Sequence, residues 1–159
     1  QNAAAISSAV NGGVYHAPTV ISTMDGQQYS RPNQDTTPRR VVSQETSDLV
    51  RSLMEQQALN QTSNAFKING YRIGTKTGTA RLVSVDCKCY RGESVVSTVG
   101  VAPIDNPQVL VYAVVWNPKF NGASGAAVAG PIMHDVLALA LPRYAAAPSG
   151  TKGVKLPLR

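Results

Sequence analysis

The spacing of apolar residues along the chain predicts three helices. The first covers residues 3–10 and ends at Asn11-Gly12-Gly13, because asparagine and glycine accept the left-handed conformation that terminates helices. The second begins after Ser43, whose hydroxyl suits an N-cap, and the third covers residues 124–141, with Pro131 in its first turns or at a kink. The apolar positions with helical spacing are Leu49, Val50, Leu53 and Met54 in the second helix, and Ile132, Met133, Val136, Leu137 and Leu141 in the third.

Between the second and third helices the pattern changes to that of strands. Residues 71–82 form an extended segment rich in threonine, residues 95–101 a second strand, and residues 109–116 a third. The third strand is continuously apolar, which predicts burial on both faces. Asn69-Gly70 is a turn signal before the first strand, and a charged loop at 86–93 and the turn residues Asp105-Asn106-Pro107 separate the three strands. Such tight turns make the strands antiparallel neighbours, and the third helix then covers one face of their sheet.

Three other segments carry weaker patterns. Residues 20–24 predict a short strand that turns at Asp25-Gly26. Residues 27–39 are polar and contain two prolines, which predicts a surface loop. Residues 146–159 contain Pro148-Ser149-Gly150 and are predicted to be a flexible tail.

Composition limits the classes of protein to which the chain can belong. Its 159 residues are 43% apolar and 15% charged, which is enough apolar material for the core of one domain or a large piece of one. The net charge of +6 suits nucleic acid, anionic lipid or an acidic polymer such as cell wall. Arg39-Arg40 is the only adjacent basic pair, however, so we predict no nucleic-acid partner. The longest apolar run, 109–116, is too short for a membrane-spanning helix, and the N-terminus shows no signal-peptide pattern.

The cysteines and histidines do not form a metal-binding pattern. Cys87 and Cys89 have no second pair of cysteine or histidine ligands nearby, and His16 and His134 are isolated, so no metal site is predicted. Two interpretations of the cysteines remain open. They are loop thiols without a catalytic role, or they form a disulfide across one residue in an oxidising compartment.

The residues with the clearest chemical pattern are Lys76-Thr77-Gly78 and Thr79, in the threonine-rich segment. A mechanism through an acylated serine requires a cation near the nucleophile and hydroxyl groups that hold a substrate carboxylate. Thr77 and Thr79 are two residues apart, so their side chains point to one face of a strand, and Gly78 leaves room for a peptide to approach the backbone. An edge strand could also pair with an extended substrate.

This segment has two other interpretations. Gly74-Thr75-Lys76-Thr77 resembles the end of a phosphate-binding loop, but the glycine directly before the lysine is absent and a strand follows in place of a helix. Lys76 could also be a solvated strand lysine among threonines, with no role in chemistry.

The segments around the motif resemble, in order, the class B penicillin-binding proteins of the serine D,D-transpeptidase and β-lactamase superfamily. The similar segments are 9–14 with Ala17-Pro18, 40–43, 69–80, 99–107 and 126–133, which together cover nearly the whole chain. The resemblance implies an α/β fold of the α+β type, a partial β-lactamase/transpeptidase-like fold with an antiparallel sheet and helices packed on it. One departure is Gly74-Thr75, where class B members usually have alanine-glycine. We expect Thr75 to narrow the cleft or alter strand pairing.

The resemblance also implies an activity for the intact parent protein. Such a parent is a D,D-transpeptidase that cross-links peptidoglycan stem peptides through an acyl-serine intermediate and binds penicillin and other β-lactams. Lys76 is implied as catalytic, and Thr77, Gly78 and Thr79 as substrate-binding, with the Thr79 backbone N–H in the oxyanion hole. No cofactor is implied. A membrane-anchored parent at the extracytoplasmic face of the bacterial cell membrane would serve cell wall biogenesis, in cell division or in cell shape.

Two further motifs of the superfamily are not found at the expected places. No Ser-x-Asn occurs, and the single Ser-x-x-Lys, at 149–152, lies in the predicted tail and is interpreted as a decoy. We therefore expect residues 1–145 to be the C-terminal portion of a transpeptidase domain, inactive alone, whose partner is the missing N-terminal part. Self-association of the fragment is also expected. The alternatives are a β-lactamase or β-lactam sensor domain, and a non-catalytic binding module of the same fold.

Overall fold

The computed structural model describes residues 1–21, 23–28, 37–119 and 122–149, and the chain divides into two units. Residues 1–50 form the first unit, and the chain from Arg51 onward forms the second. Helix α2 (Gln44–Leu59) contributes its first turns to the first unit and the remaining turns to the second.

The first unit contains one complete helix and two short antiparallel strand pairs. Helix α1 covers Asn2–Val10 and ends where predicted, and Gly12 and Gly13 follow with φ values of 93° and 90°. A Cβ on Gly13 would lie 2.1 Å from the carbonyl oxygen of Val42, so glycine is required there. The strand pairs are β1 (Val14–Tyr15) with β4 (Arg39–Arg40) and β2 (Thr23–Met24) with β3 (Gln27–Gln28).

Strand pairing corrects two predictions in this unit. The predicted strand at 20–24 shortens to Thr23–Met24, and residue 22 lies outside the described residues. The predicted surface loop at 27–39 begins with β3 and ends in β4, while residues 29–36 lie outside the described part. Helix α2 begins as predicted, because the Ser43 hydroxyl accepts a hydrogen bond from the N–H of Thr46 at 3.1 Å.

The second unit is built on an antiparallel sheet in the order β5-β6-β7. Its strands cover Gly74–Val83, Tyr90–Ala102 and Val109–Trp116, which confirms the predicted arrangement of neighbours. The third strand has the predicted bounds. The second begins five residues earlier than predicted, because pairing continues to Val83 opposite Tyr90, and the charged loop predicted at 86–93 is correspondingly shorter.

One face of this sheet packs on helix α3 (Gly130–Arg143), which a π-helical turn at Gly125–Ala129 precedes. Pro131 occupies the first turn of α3, as predicted. Met133, Leu137 and Leu141 are fully buried, and a Cβ on Gly100 would lie 2.2 Å from the Met133 sulfur. By length and composition alone, Gly125–Arg143 is also the one helix of the described residues that could cross a membrane.

The helix surface that faces the sheet is narrower than predicted. Ile132 and Val136 were expected on the apolar side with the buried residues, yet they are 47% and 48% exposed. The buried residues lie at 133, 137 and 141, four apart, and this spacing forms a single row along a helix. In α2 the outcome is also mixed: Met54 is buried, whereas Leu49 and Leu53 are exposed.

Strand β7 is not buried on both faces, so that prediction is wrong. Ala113 belongs to the core that includes residues of α3, and Val109 and Val111 are partly buried against that core. On the other face Val114 is 47% and Trp116 69% exposed. Alternate residues of a strand point to opposite faces, and among the described residues of this unit only one face carries a helix along its length.

The described start of the predicted tail is attached to the second unit. Ala146 is buried, and its carbonyl accepts a hydrogen bond from the Tyr71 hydroxyl at 2.9 Å. The N–H of Ser149 donates to the carbonyl of Gly70 at 2.9 Å. Residues 150–159, including Lys152 of the Ser-x-x-Lys sequence, lie outside the described residues. The boundary between a transpeptidase domain portion at 1–145 and a flexible tail at 146–159 stays a prediction.

Candidate active site

Strand β5 carries the lysine motif at one edge of the sheet. Within the described residues it pairs only with β6, with Lys76 opposite Val99 and Thr77 opposite Thr98. The Lys76 side chain is exposed, and its Nζ donates to the carbonyl oxygen of Thr77 at 2.7 Å. In the described part of the chain no carboxylate pairs with this ammonium group. Lys76 is therefore a positive charge beside an open strand edge.

The motif residues alternate between the two faces of β5. Directly paired residues of an antiparallel sheet share a face, so Thr77 lies with Thr98, and Lys76 and Gly78 lie on the opposite face. A Cβ on Gly78 would lie 2.7 Å from the Ser97 hydroxyl oxygen. The absence of a side chain at Gly78 therefore makes room for the Ser97 side chain and leaves the surface beside Lys76 unobstructed.

The opposite face of the motif is held by the backbone of Gly125. The N–H of Gly125 donates to the Thr79 hydroxyl at 3.3 Å, and its carbonyl accepts from the Thr98 hydroxyl at 2.7 Å. A Cβ on Gly125 would lie 2.2 Å from the carbonyl oxygen of Ser97 and 2.9 Å from the backbone nitrogen of Gly78. Only glycine lets this turn approach the sheet so closely.

Helix α2 supports the start of β5 through two polar contacts. Thr75 is fully buried and its hydroxyl donates to the side-chain oxygen of Gln57. Arg72 makes two hydrogen bonds to Glu55, from Nε at 2.6 Å and from Nη2 at 2.7 Å. The hydrogen bond to Glu55 raises the pKa of Arg72 above its ordinary value, against the opposing effect of burial.

Thr75 does not alter strand pairing, so that part of the expectation is wrong. Pairing between β5 and β6 is continuous from Gly74 to Arg81. The reason is that the threonine hydroxyl has a partner in Gln57, so a residue larger than the usual glycine fits without shifting the strand. A Cβ on Gly74, by contrast, would lie 3.0 Å from the Cβ of Met54.

The hairpin between β5 and β6 ends in a disulfide between Cys87 and Cys89. This bond decides between the two interpretations of the cysteines. The N–H of Ser84 donates to the carbonyl of Cys89 at 2.8 Å, and Lys88, between the cysteines, has a φ of 52°. No group of three or more potential metal ligands occurs among the described residues.

Comparison with known proteins identifies the family. The family described as penicillin binding protein transpeptidase domain matches residues 1–138. The chain belongs to this family. A phosphate-binding loop is thereby excluded, and the strand that follows Lys76 agrees, because such a loop opens a helix.

Relatives of this transpeptidase-family chain are much longer than it is. Stage V sporulation protein D of Bacillus subtilis (strain 168) is 34% identical over 151 residues, which are 93% of this chain and 23% of that protein. Probable peptidoglycan D,D-transpeptidase PenA of Neisseria flavescens is 34% identical over 124 residues, 75% of this chain and 31% of the relative. The chain therefore spans between about a quarter and a third of the length of these two relatives.

A solved structure shows the same fold. Penicillin binding protein 3 from Mycobacterium tuberculosis, complexed with ampicillin, has a TM-score of 0.75 and 24% sequence identity, over 96% of this chain and 36% of that one. The mixed helical and antiparallel architecture predicted from the transpeptidase resemblance is confirmed.

Sequence reasoning found the lysine motif and missed the residues around it. Thr98 and Gly125 are separated by 27 residues, and Thr79 and Gly125 by 46. The available signals were weak. Gly125 follows Ser124, whose hydroxyl caps the helical segment by accepting from the Ala127 N–H. Thr98 and its neighbour Ser97 are the two hydroxyl residues that interrupt an otherwise apolar stretch of β6.

Proposed function

We propose that this chain forms the lysine-threonine-glycine wall of the active site of a peptidoglycan D,D-transpeptidase. The observation that carries the proposal is an exposed Lys76 on an open strand edge, next to Thr77 and Thr79, in a chain of the penicillin binding protein transpeptidase family. The parent enzyme is acylated at a serine by the penultimate D-alanine carbonyl of a stem peptide. That serine comes from a segment outside these residues, since the only Ser-x-x-Lys is at 149–152.

In this proposal Lys76 assists proton movement through its charge. The contact of its Nζ with the Thr77 carbonyl places the ammonium group at the strand edge. A cation fixed beside a nucleophile favours the deprotonated form of that nucleophile and stabilises negative charge that develops on the substrate. Lys76 therefore acts as the catalytic residue of this wall.

Thr77 and Thr79 hold the terminal carboxylate of the substrate by donating hydroxyl hydrogen bonds to it. Gly78 lies on the face that carries Lys76, and its lack of a side chain leaves room beside the lysine for a peptide to lie along the strand. In an antiparallel strand the N–H and C=O of one residue point to the same side, and those of the residue two further on point to that side too. The Thr77 carbonyl accepts from the exposed Lys76 ammonium, so the Thr79 N–H lies on the same side and serves the oxyanion hole.

The setting of the parent protein follows from the same proposal. Its partners are the peptidoglycan stem peptide, β-lactams, and the remaining part of its own transpeptidase domain. It is anchored in the membrane and works at the extracytoplasmic face of the bacterial cell membrane. The relatives' names include sporulation and D,D-transpeptidase functions, and the net charge of +6 suits an acidic wall polymer.

The experiment uses the full-length protein that contains this chain and measures acylation by a labelled penicillin. We expect Lys76→Ala to slow acylation by roughly two or more orders of magnitude, as loss of a preorganised charge does. Lys67→Ala is the matched control, because it removes another exposed lysine outside β5. An unchanged rate in Lys76→Ala with an intact fold would make Lys76 a solvated strand residue only.

The fate of the acyl-enzyme separates the proposed activity from its alternatives. A long-lived penicilloyl-enzyme is expected of a transpeptidase. Rapid release of hydrolysed penicillin by the unmodified protein would indicate a β-lactamase, and binding without acylation would indicate a non-catalytic module.

A further inference from the structure

The hydroxyl of Thr79 is not independent of the rest of the fold. It accepts a hydrogen bond from the N–H of Gly125, a residue 46 positions further along the chain. A threonine hydroxyl has one proton to donate and two lone pairs. The Gly125 N–H occupies one lone pair of the Thr79 hydroxyl oxygen, so the hydroxyl proton stays available for an external acceptor. The same bond restricts the side-chain torsion of Thr79.

Gly125 is in turn fixed by Thr98. The Thr98 hydroxyl donates to the Gly125 carbonyl at 2.7 Å, and Thr98 has no exposed surface. The same glycine lies against the backbones of Gly78 and Ser97, where a Cβ would approach within 2.2 Å of the Ser97 oxygen. Gly125 is thus fixed by hydrogen bonds at its N–H and its carbonyl and by backbone packing at its Cα. It can therefore hold the Thr79 hydroxyl in one orientation.

We propose that Thr98 and Gly125 are positioning residues that orient the Thr79 hydroxyl toward the carboxylate of the substrate. The inference rests on the proposed function, because it assigns a cause to the carboxylate recognition proposed there. Thr98 acts through Gly125 and does not touch the substrate. Restricting the Thr79 rotamer before binding reduces the entropy lost when the carboxylate is bound.

The test compares two ligands that differ only in the recognised group. A penicillin and its methyl ester are used to measure the acylation rate constant of the full-length protein, and the ratio of acid to ester reports recognition of the carboxylate. Thr98→Val keeps the shape of the side chain and removes the donor to Gly125. We expect this ratio to fall about tenfold in Thr98→Val, because the misaligned Thr79 hydroxyl loses its hydrogen bond to the charged carboxylate. Thr98→Ser keeps the donor to Gly125 and should restore most of the ratio.

A buried threonine elsewhere in β5 provides the matched control. Thr75 is also fully buried, and its hydroxyl donates to Gln57, whereas the hydrogen bonds of Gly125 to side chains go to Thr79 and Thr98. Thr75→Val should lower thermal stability about as much as Thr98→Val while leaving the acid-to-ester ratio at the unmodified value. If Thr98→Val does not fold, Thr98→Cys keeps the volume with a weaker donor, and an intermediate ratio is expected.

The outcomes separate the two proposals. A Thr98→Val protein that is less stable but has the unmodified ratio contradicts the positioning role and leaves the proposed function intact. The same holds for an unmodified ratio in Thr98→Cys. An unmodified full-length protein that neither penicillin nor its ester acylates overturns the proposed function, and the positioning role with it.

Discussion

Arg72 and Glu55 form a two-point ion pair between the segment that enters β5 and helix α2, with hydrogen bonds of 2.6 and 2.7 Å. The side chains are 16% and 5% exposed, so both charges are largely removed from water. The carbonyl of Arg72 also accepts from the N–H of Ile104 at 2.9 Å. This arrangement fixes the strand start a few residues before the proposed catalytic lysine.

The ion pair predicts a large asymmetry between single and double substitutions. Arg72→Ala leaves the Glu55 carboxylate buried without its partner and should destabilise the full-length protein by about 3 to 5 kcal/mol. Replacing both residues by methionine should cost much less. Thermal unfolding measures both effects, and Arg81→Ala, at an exposed arginine of β5, is the control with little change. If the single and the double variant lost the same free energy of unfolding, the pairing of Arg72 with Glu55 would not be what stabilises this region.

The pH dependence of this contribution follows from the pKa of Arg72, which is raised by its hydrogen bond to Glu55. A raised pKa in the folded state contributes stability that is fully present below the ordinary value of arginine and is lost only as the pH rises through the raised value. We therefore expect the destabilisation caused by Arg72→Ala to be the same at about pH 7 and about pH 10. Unfolding measured at both values tests it, and a clear loss of the effect at the higher pH would contradict it.

Thr75 offers a prediction about the departure from the usual family sequence. Thr75→Val should destabilise by about 1 kcal/mol, because Gln57 is partly exposed and water can replace the lost hydrogen bond. Gln57→Leu should have an effect of similar size, and the two losses should not add, since both remove one interaction. Additive losses in the double variant would show that the hydroxyl and the amide contribute separately.

The 159-residue chain alone should form no covalent adduct with penicillin. Its single Ser-x-x-Lys, at 149–152, lies in the segment that the sequence predicts to be a tail, so we expect no serine to be activated for attack. Incubation with a labelled penicillin and mass spectrometry under denaturing conditions tests this, with the full-length protein as the positive control. A stoichiometric acyl shift on the isolated chain would disprove the expectation.

The isolated chain should also self-associate. Val114 and Trp116 leave an apolar surface on β7, and within the described residues β5 and β7 each pair with one strand only. Covering apolar surface is worth roughly 25 cal/mol per Å², and an open strand edge provides hydrogen-bonding groups for a second chain. Sedimentation should show oligomers that Trp116→Lys reduces. A monomer at high concentration without binding of a dye for apolar surface would refute this.

Much of the secondary structure was determined by the sequence alone, because its signals act over a few neighbouring residues. The apolar run 109–116 lies between turn residues, and the observed strand has the same bounds. Ser43 marks the start of α2, and Gly12-Gly13 the end of α1. The family motifs around Lys76 are also continuous segments, so the resemblance to penicillin-binding transpeptidases could be recognised without a structure.

Only the tertiary structure decided which surfaces are covered and which polar groups meet. The pattern of β7 is apolar at every position, so it contains no information about which face meets α3 and which leaves Trp116 exposed. The contacts of Gly125 with Thr79 and Thr98 join residues 46 and 27 positions apart. Hydrogen bonds of this range depend on how strands and helices pack, whereas turn and helix signals depend on local backbone preference, which is why the surroundings of Lys76 could not be predicted from its own strand.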